Sequence, residues 1–282
     1  MSEYAPGKET HRAKKSMGQN FLVDPTVCPR IAEMAGIDGA DVIEIGPGFG
    51  ALTVELARRA AKVAAIELDG DVIGGLEENL RDFDNCVIIR GDALEMDLSE
   101  VIEVHFDGSR RICAAGNIPY NITSPLIMKL LDPDLGLDSV TVMIQKEPAD
   151  RFCSAPGTDG CGAISAAVWY YGVPVRLFDV GPGAFRPRPK VRSSVIRIDL
   201  RDEPAVRVKD EDFFFRVIRA AFQQRRKTAL NSVSSVMGIK KETVAEAMDR
   251  CGLDPGIRAE RMTLQQFADF SDELGECTDA AG

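Results

Sequence analysis

The stretch that most constrains the fold of this chain is a buried strand that runs directly into a glycine-rich turn and a helix. Residues Asp41–Ile45 form a short apolar run, glycines follow at positions 46, 48 and 50, and residues 51–60 have the apolar spacing of a helix. Strand, glycine turn and helix in this order begin a doubly wound α/β sheet that binds a nucleotide, because glycine lets the backbone approach the ligand closely. The sequence therefore predicts that Gly46 and Gly48 line a ligand site at one edge of the sheet.

Acidic residues follow the next two predicted strands. The strand Lys62–Leu68 carries Glu67, 19 residues after Gly48, and Asp92 follows the strand Cys86–Arg90. Glu67 can accept hydrogen bonds from both hydroxyls of a ribose, and Asp92 can accept one from the amine of an adenine ring. Without the glycine turn, each would be interpreted as a surface acid at a strand end. The order E-x-G-x-G-x-G lacks the dinucleotide spacing and favours S-adenosylmethionine over NAD.

A polar stretch with an aromatic residue, Asn117-Ile118-Pro119-Tyr120, follows the apolar run from Ile112 to Ala115. The exocyclic amine of adenine is a poor nucleophile, because its lone pair is delocalised into the ring. The amide oxygen of Asn117 and a backbone carbonyl of Ile118 or Pro119 would accept its two N–H bonds, and Tyr120 would stack on the base. The stretch predicts a site for an adenine amine. The alternative interpretation is an Asn-Pro turn that ends a core strand.

The chain is acidic, but its charge is unevenly distributed. Its 282 residues carry a formal net charge of −10, which by itself argues against a nucleic-acid partner. Residues 182–227 hold 13 basic and 6 acidic side chains, whereas residues 228–282 hold 5 basic and 10 acidic ones. This basic band ends at Arg225-Arg226-Lys227, and aromatic residues are interspersed in it. We expect local RNA contacts there, although such bands are often only solvated faces.

Cysteine and histidine usage argues against several kinds of site. Seven cysteines are scattered without a C-x-x-C pair, and the two histidines are His11 and His105. Neither a zinc site nor a disulfide framework is expected, and no other metal site is predicted. The sequence has no apolar run of 18 residues and no signal-peptide pattern, so we expect a cytoplasmic protein with reduced thiols and no membrane contact.

The order of the predicted elements indicates two domains. Strands and helices alternate up to about residue 150, and consecutive strands are predicted after it, at Ala166–Tyr171, Val173–Val180 and Ser194–Leu200. This pattern predicts an α/β domain over residues 1–205, with a seven-stranded mixed sheet between helices. Residues 206–282 contain helical patterns, among them a capping box at Thr263 and Gln266, and predict a small all-helical domain.

Six separated segments of the chain resemble the ribosomal RNA adenine dimethyltransferases, and most of all the bacterial small-subunit enzymes of that family. The segments are Lys15–Leu22, Glu44–Gly50, Gly91–Ala93, Gly116–Tyr120, Gln145–Glu147, and Phe185–Val191 with Ser193. The resemblance covers nearly the whole chain. It implies a Rossmann-like class I methyltransferase that uses S-adenosylmethionine and dimethylates N6 of two adjacent adenosines. Their position would be a 3′-terminal hairpin loop of small-subunit (16S) rRNA within the immature 30S particle, which gives the enzyme a role in small-subunit biogenesis. We expect a monomer, although the sequence itself does not determine the oligomeric state.

The resemblance also implies roles for individual residues. Those expected to contact the cofactor are Asn20, Leu22, Gly46, Gly48, Glu67, Asp92 and Asn117. Asn117, Pro119 and Tyr120 would form the site for the target amine, and Phe185 would stack on the target base. Many relatives have Leu where Ile118 stands, which is a conservative difference.

Three alternative functions stay open at this point. The first is an adenine N6-methyltransferase that acts on large-subunit rRNA or on DNA, which would share the amine site. The second is an assembly factor that chiefly binds immature subunits and methylates them secondarily. The third is a small-molecule methyltransferase or a dehydrogenase, and tight binding of NAD would favour the dehydrogenase.

Overall fold

The computed structural model describes residue 14 and residues 19–279, which divide into two compact units. The first unit contains the residues up to Ala149 together with Pro174–Leu200. The second contains Asp150–Val173 together with the residues from Arg201 onward. The predicted division at residue 205 therefore differs from these units, chiefly because residues 150–173 group with the C-terminal helices.

The first unit is built on a seven-stranded sheet, as predicted. Nine strands occur in the described residues: β1 Phe21–Leu22, β2 Asp41–Ile45, β3 Lys62–Glu67, β4 Cys86–Arg90, β5 Ile112–Asn117, β6 Ser139–Gln145, β7 Gly172–Val180, β8 Phe185–Arg186 and β9 Ser193–Leu200. The large sheet has the order β4-β3-β2-β5-β6-β9-β7, and β1 pairs with β8 separately. The strands from β4 to β6 in this order are parallel and β9 is antiparallel to β6, so the sheet is mixed.

Helices follow the parallel strands in alternation. The helices of the described residues are α1 Val27–Met34, α2 Ala51–Ala57, α3 Gly70–Leu80, α4 Leu98–His105, α5 Thr123–Leu130, α6 Lys146–Cys153, α7 Ala163–Tyr171, α8 Glu211–Gln223, α9 Ala229–Met237, α10 Lys241–Arg250 and α11 Leu264–Asp279. Strand β2 is buried along its whole length, as expected for a central parallel strand covered on both faces. None of these helices is both long and apolar enough to cross a membrane.

Register brings the carboxyl ends of four strands to one edge of the sheet. Ile45 is paired with both Ile66 and Gly116, and Glu67 is paired with Arg90. The residues that follow these strand ends are the glycine turn, the acidic turn after β3, the Gly91-Asp92 turn and the Asn117 stretch. Parallel pairing therefore gathers segments that lie far apart in the sequence, and ligands bind at this edge in such sheets.

The second unit has its own apolar core and confirms part of the sequence prediction. Phe214, Val217 and Ile218 of α8 are buried in that core. The capping box before α11 is present: the Thr263 N–H donates to Gln266 Oε1 (2.9 Å), and the Gln266 N–H donates to Thr263 Oγ1 (3.2 Å). The predicted strand Ala166–Tyr171 is wrong, because these residues belong to α7, where Ala166 and Tyr170 join the helical core. Tertiary packing outweighed the β propensity of its Val and aromatic residues.

Candidate active site

The carboxyl edge of the sheet borders a cavity of about 280 Å³. Its walls come from the ends of β2, β3 and β5, the turn after β4, and the segment Gln19–Leu22. All seven residues predicted to contact the cofactor lie in this lining: Asn20, Leu22, Gly46, Gly48, Glu67, Asp92 and Asn117. The structure therefore brings all predicted cofactor positions to one cavity.

The glycine turn has a backbone that only glycine adopts easily. Gly46, Gly48 and Gly50 have φ values of 71°, 59° and 87°, in the left-handed region. A Cβ atom at Gly46 would lie 3.8 Å from the carbonyl oxygen of Asn117, and one at Gly48 would lie 3.3 Å from the ring of Phe21. The turn is thus shaped by backbone conformation and lies against two other walls of the cavity.

Glu67 joins the end of β3 to the glycine turn. Its Oε2 accepts the Gly48 N–H (2.9 Å) and its Oε1 accepts the Asp69 N–H (2.7 Å). Only 6% of the residue is exposed. Burial raises the pKa of the Glu67 carboxyl above its ordinary value, although these two backbone hydrogen bonds oppose the shift. Each carboxylate oxygen keeps further acceptor capacity, so two ligand hydroxyls can donate to one fixed group.

The turn that carries Asp92 is held by a residue that sequence reasoning missed. Asp92 Oδ1 accepts the Leu94 N–H (2.9 Å), which fixes the turn locally. The Nζ atom of Lys129, on α5, donates to the carbonyl oxygens of Leu94 and Met96. Because Lys129 lies 37 residues after Asp92, its role becomes visible only when the helix packs beside the turn.

The amide of Asn117 is oriented by the N-terminal wall. Its Nδ2 donates to the backbone carbonyl of Asn20 (3.2 Å). A carbonyl oxygen only accepts hydrogen bonds, so this contact identifies which end of the amide is the nitrogen. Oδ1 is consequently left as an acceptor at the cavity, as an amine donor requires.

Strand β5 approaches β2 too closely for any residue but glycine at position 116. A Cβ atom on Gly116 would lie 2.6 Å from the carbonyl oxygen of Ile45 and 2.9 Å from Cδ1 of Ile118. This close approach places the Asn117 stretch beside the glycine turn, where the Pro119 ring lies 3.9 Å from the Cβ position of Gly46.

Tyr120 is held by Ser193, which lies outside the Asn117–Tyr120 stretch. Its hydroxyl is 2.9 Å from Oγ of Ser193, which begins β9 and is fully buried. Burial raises the pKa of the Tyr120 phenol, and the Ser193 contact opposes that shift. The ring is half-buried in the cavity wall, and the hydrogen bond restricts its rotation.

Phe185 is not placed as its predicted role requires. Its side chain is 0% exposed, packs in the core of the first unit, and does not belong to the cavity lining. The backbone pairing of Phe185 with Leu22 in the β1–β8 ladder accounts for this burial. This burial gives no support to stacking of Phe185 on a base. Asn117, Pro119 and Tyr120 do line the cavity, and their roles at the target amine stay predictions.

Glu44 lines the cavity, and the sequence prediction did not assign it a role. The residue is 1% exposed, and its Oε2 has no hydrogen-bond partner among the described residues. Burial raises the pKa of Glu44 to about 8, while the nearby Thr53 hydroxyl opposes the shift. The E-x-G-x-G-x-G order could have identified Glu44, since it places a carboxyl on the penultimate residue of the buried strand β2.

The charge of the cavity fits a cationic ligand. Its acidic lining residues are Glu44, Glu67 and Asp92, and none of the described residues that line it is Lys or Arg. The sulfonium and ammonium of S-adenosylmethionine would meet an acidic lining with no opposing basic side chain among these described residues. When bound, that cofactor supplies an electrophilic methyl group. The described residues contain no cluster of three His, Cys, Asp or Glu side chains suited to a metal ion.

The chain matches a sequence model of the family described as “Ribosomal RNA adenine dimethylase” over residues 10–276. The “Ribosomal RNA small subunit methyltransferase A” of Shouchella clausii is 42% identical, over 93% of this chain and 89% of that protein. The protein of the same name from Geobacillus thermodenitrificans is 44% identical, over 93% of this chain and 90% of that protein.

Two solved structures share the fold. The 23S rRNA methyltransferase ErmE has a TM-score of 0.69 at 25% identity, and the match covers 91% of this chain and 100% of that one. A dimethyladenosine transferase from Plasmodium falciparum has a TM-score of 0.74 at 22% identity, over 91% of this chain and 98% of that one. The geometry of the cavity and these matches agree: the chain belongs to the ribosomal RNA adenine dimethylase family and is an S-adenosylmethionine-dependent rRNA methyltransferase.

Proposed function

We propose that this enzyme dimethylates N6 of two adjacent adenosines in the 3′-terminal hairpin loop of small-subunit rRNA, within the immature 30S particle. The observation that carries the proposal is the Asn117–Tyr120 stretch, whose oriented amide borders the cofactor cavity. The names of the relatives at 42% and 44% identity support the small subunit as the target. The enzyme would act as a cytoplasmic monomer.

The cofactor would lie along the edge of the sheet, from Asp92 to Asn117. Glu67 would accept hydrogen bonds from the ribose hydroxyls, because its carboxylate is fixed by the N–H groups of Gly48 and Asp69. Asp92 would accept one from the adenine amine of the cofactor through its remaining acceptor capacity. The glycine turn would let the methionine portion pass close to the backbone.

The target amine would be held by Asn117 Oδ1 and a backbone carbonyl of the following residues. These acceptors draw the amine nitrogen toward a tetrahedral geometry, which makes its lone pair available for attack on the methyl group. No described residue lining the cavity is a histidine. None is needed as a base if the proton leaves after attack, because the methylated exocyclic ammonium is far more acidic than a simple alkylammonium. The protein then accelerates the reaction by positioning and orienting the target amine toward the methyl group.

Tyr120 would provide the flat surface for a base that has left its stack. The Ser193 contact holds its ring in one orientation, so less conformational freedom is lost when the base arrives. Stacking of this kind contributes roughly 1–3 kcal/mol per base. Phe185 would reach the base only after β8 moves, since its side chain is buried in the core.

RNA contacts would come in part from a basic cavity within the second unit. This cavity of about 360 Å³ is lined by four basic side chains and one acidic one, namely Arg151, Arg225, Lys227, Arg258 and Glu260. Arg225, Arg226 and Lys227 are exposed after the end of α8. A concave basic surface of this kind suits the phosphates of an RNA backbone, and it gives the acidic chain a local RNA-binding site.

The test is methylation of defined substrates by the purified enzyme. Small subunits from a strain that lacks the dimethyladenosines, naked 16S rRNA and large subunits would each be incubated with labelled S-adenosylmethionine, and the nucleosides would be identified by mass spectrometry. We expect two N6,N6-dimethyladenosines per small subunit. Preferential labelling of large subunits, the substrate class named for ErmE, would instead support the alternative target.

A further inference from the structure

Asp69 lies beside the cofactor cavity in a dense set of hydrogen bonds. The residue is 1% exposed and serves as the N-cap of α3, where its Oδ1 accepts the Asp71 N–H (3.1 Å). The same carboxylate receives the ammonium of Lys14 on Oδ1 (2.6 Å) and Nε2 of Gln19 on Oδ2 (2.7 Å). Capping a helix requires only one of these contacts. The other two connect α3 to the N-terminal segment.

A backbone hydrogen bond links Asp69 to the chemistry of the cavity. Its own N–H donates to Oε1 of Glu67 (2.7 Å), so a shift of Asp69 moves one of the two donors that fix that carboxylate. Burial alone would raise the pKa of Asp69, but the hydrogen bonds from Lys14 and Gln19 outweigh it and hold the pKa below its ordinary value. Asp69 is therefore charged and paired at neutral pH.

The N-terminal segment is also attached at its other residues: the Asn20 carbonyl accepts Asn117 Nδ2 (3.2 Å), and the rings of Phe21 and Phe49 are 5.0 Å apart between centroids. Residues Gln19–Leu22 form a wall of the cavity. At their C-terminal end, the two-residue ladder between β1 and β8 and the Val23 N–H to the Ala184 carbonyl (2.8 Å) hold the chain. A two-residue ladder is weak, because short strands contribute few hydrogen bonds. The pairing with Asp69 provides the attachment at the N-terminal end of this wall, at Gln19.

We propose that Asp69 is a positioning residue that latches the N-terminal segment over bound cofactor, through Gln19 and Lys14, and at the same time sets the orientation of Glu67. The inference rests on the cofactor placement of the proposed function. It assigns the latch to Asp69, which follows Glu67 by two residues and is not part of the cavity lining. The cofactor would contact the wall that Asp69 holds in place, and opening the latch would speed its dissociation.

Asp69→Asn separates the latch from the helix cap. Asparagine is as good an N-cap as aspartate, so its Oδ1 keeps the Asp71 N–H. Its Nδ2 would face Nε2 of Gln19, donor against donor, and its loss of charge removes the ion pair with Lys14. The additional change Gln19→Glu restores a donor–acceptor pair and returns the lost charge, so the double variant tests the contact itself.

The experiment compares S-adenosylmethionine binding by calorimetry, its dissociation rate by stopped flow, and hydrogen exchange of the amides of residues 20–23. We expect Asp69→Asn to raise the Kd about tenfold, the scale for losing one charge-assisted contact, mainly through faster dissociation. Exchange at residues 20–23 should accelerate in the cofactor complex. The thermal midpoint of the cofactor-free protein should change little, because the cap is kept. The Asp69→Asn/Gln19→Glu variant should recover most of the affinity.

Glu67→Ala and Asp82→Asn complete the design. Asp82 follows α3, has an exposed side chain, and provides a charge-matched control that should bind normally. If Asp69→Asn binds cofactor with the wild-type Kd and dissociation rate while Glu67→Ala binds weakly, the latch is wrong and the cofactor site stands. If Glu67→Ala also binds normally, the cofactor placement itself is wrong. A third outcome would reduce Asp69 to a structural helix cap. In it, Asp69→Asn weakens cofactor binding and lowers the thermal midpoint to a matching degree, and the added Gln19→Glu does not restore the affinity.

Discussion

The carboxylate of Glu67 accepts the backbone N–H of Gly48 at 2.9 Å, which ties the end of one strand to the glycine turn of its neighbour. Gly48 has a φ of 59°, in the left-handed region that favours glycine. The acidic residue and the glycine turn, which sequence reasoning treats as separate motifs, are therefore one hydrogen-bonded unit. Its consequence is that a change at either residue disturbs the other.

Replacing Glu67 by alanine should weaken S-adenosylmethionine binding by about tenfold or more, since a charge-assisted hydrogen bond contributes roughly 1.5–3 kcal/mol. The change also leaves the Gly48 and Asp69 N–H groups without their present acceptor. Calorimetry on the cofactor-free enzyme measures the effect. Glu77→Ala on the exposed face of α3 is the control. Equal affinity of the Glu67 variant and wild type would remove this residue from the site.

Replacing Asn117 by alanine should lower the single-turnover rate of methylation by roughly 100-fold or more, the scale for losing one preorganised polar contact. Binding of small subunits should persist, because the basic surfaces are unchanged. The milder Asn117→Asp change should stall at monomethyladenosine. Nucleoside mass spectrometry distinguishes the two products. Wild-type formation of dimethyladenosine by Asn117→Ala would leave the stretch as a strand-ending turn.

Replacing Arg225, Arg226 and Lys227 together by alanine should weaken binding to small subunits and reduce its dependence on salt, because each phosphate contact releases counterions. Cofactor affinity should be unaffected. Filter binding between about 50 and 200 mM salt gives the slope. Arg207, Lys240 and Lys241 are exposed in the same unit and lie outside the basic cavity, so their triple replacement is the charge-matched control. Identical slopes for both triple variants would mean that the cavity has no special role.

Replacing Glu44 by glutamine should change how the stability of the cofactor-free protein depends on pH. Burial raises the pKa of Glu44 to about 8 in the folded state, against roughly 4.3 for an unfolded glutamate. Between these values the folded state keeps a proton that the unfolded state releases, so the free energy of unfolding falls as pH rises. Above pH 8 the fall in the free energy of unfolding levels off, at roughly a few kcal/mol in total. The Glu44→Gln variant lacks this pH-dependent loss of stability. Its free energy of unfolding should therefore rise relative to that of wild type from pH 5 to 8.

Chemical denaturation of both proteins at pH 5, 6, 7, 8 and 9 tests this expectation. Every other titrating group is shared, so the difference between the two curves reports the titration of Glu44 together with its electrostatic coupling to Glu67. A constant difference across the range would show that the carboxyl titrates normally.

Replacing Phe185 by alanine should lower the free energy of unfolding by about 3–5 kcal/mol, the usual cost of emptying a buried aromatic site. Phe185→Leu keeps most of the volume and should cost roughly 1.5 kcal/mol or less. Denaturant titration measures both. Turnover of the leucine variant, measured well below its melting range, then reports on stacking alone. A normal rate would confine Phe185 to the core, whereas a loss confined to base capture would require β8 to move during catalysis.

Local chemistry made much of this protein readable from its sequence. The glycine turn, Glu67 and Asp92 follow apolar strands, and parallel strands in a doubly wound sheet end at one edge, so the cofactor cavity could be predicted by position. The Asn117 stretch belonged to the same argument. The capping box at Thr263 and Gln266 is decided within four residues, which is why it was predicted correctly.

Long-range packing decided the rest. Residues 166–171 have β propensity, yet they form a helix because Ala166 and Tyr170 are buried among the C-terminal helices. Lys129 supports the Asp92 turn, and Ser193 holds Tyr120, across separations that no local pattern encodes. Phe185 became a core residue through its pairing with Leu22. Composition and spacing determine which side chains are available at the sheet edge. Which of them are buried, paired or left as acceptors depends on neighbours that only the folded chain supplies.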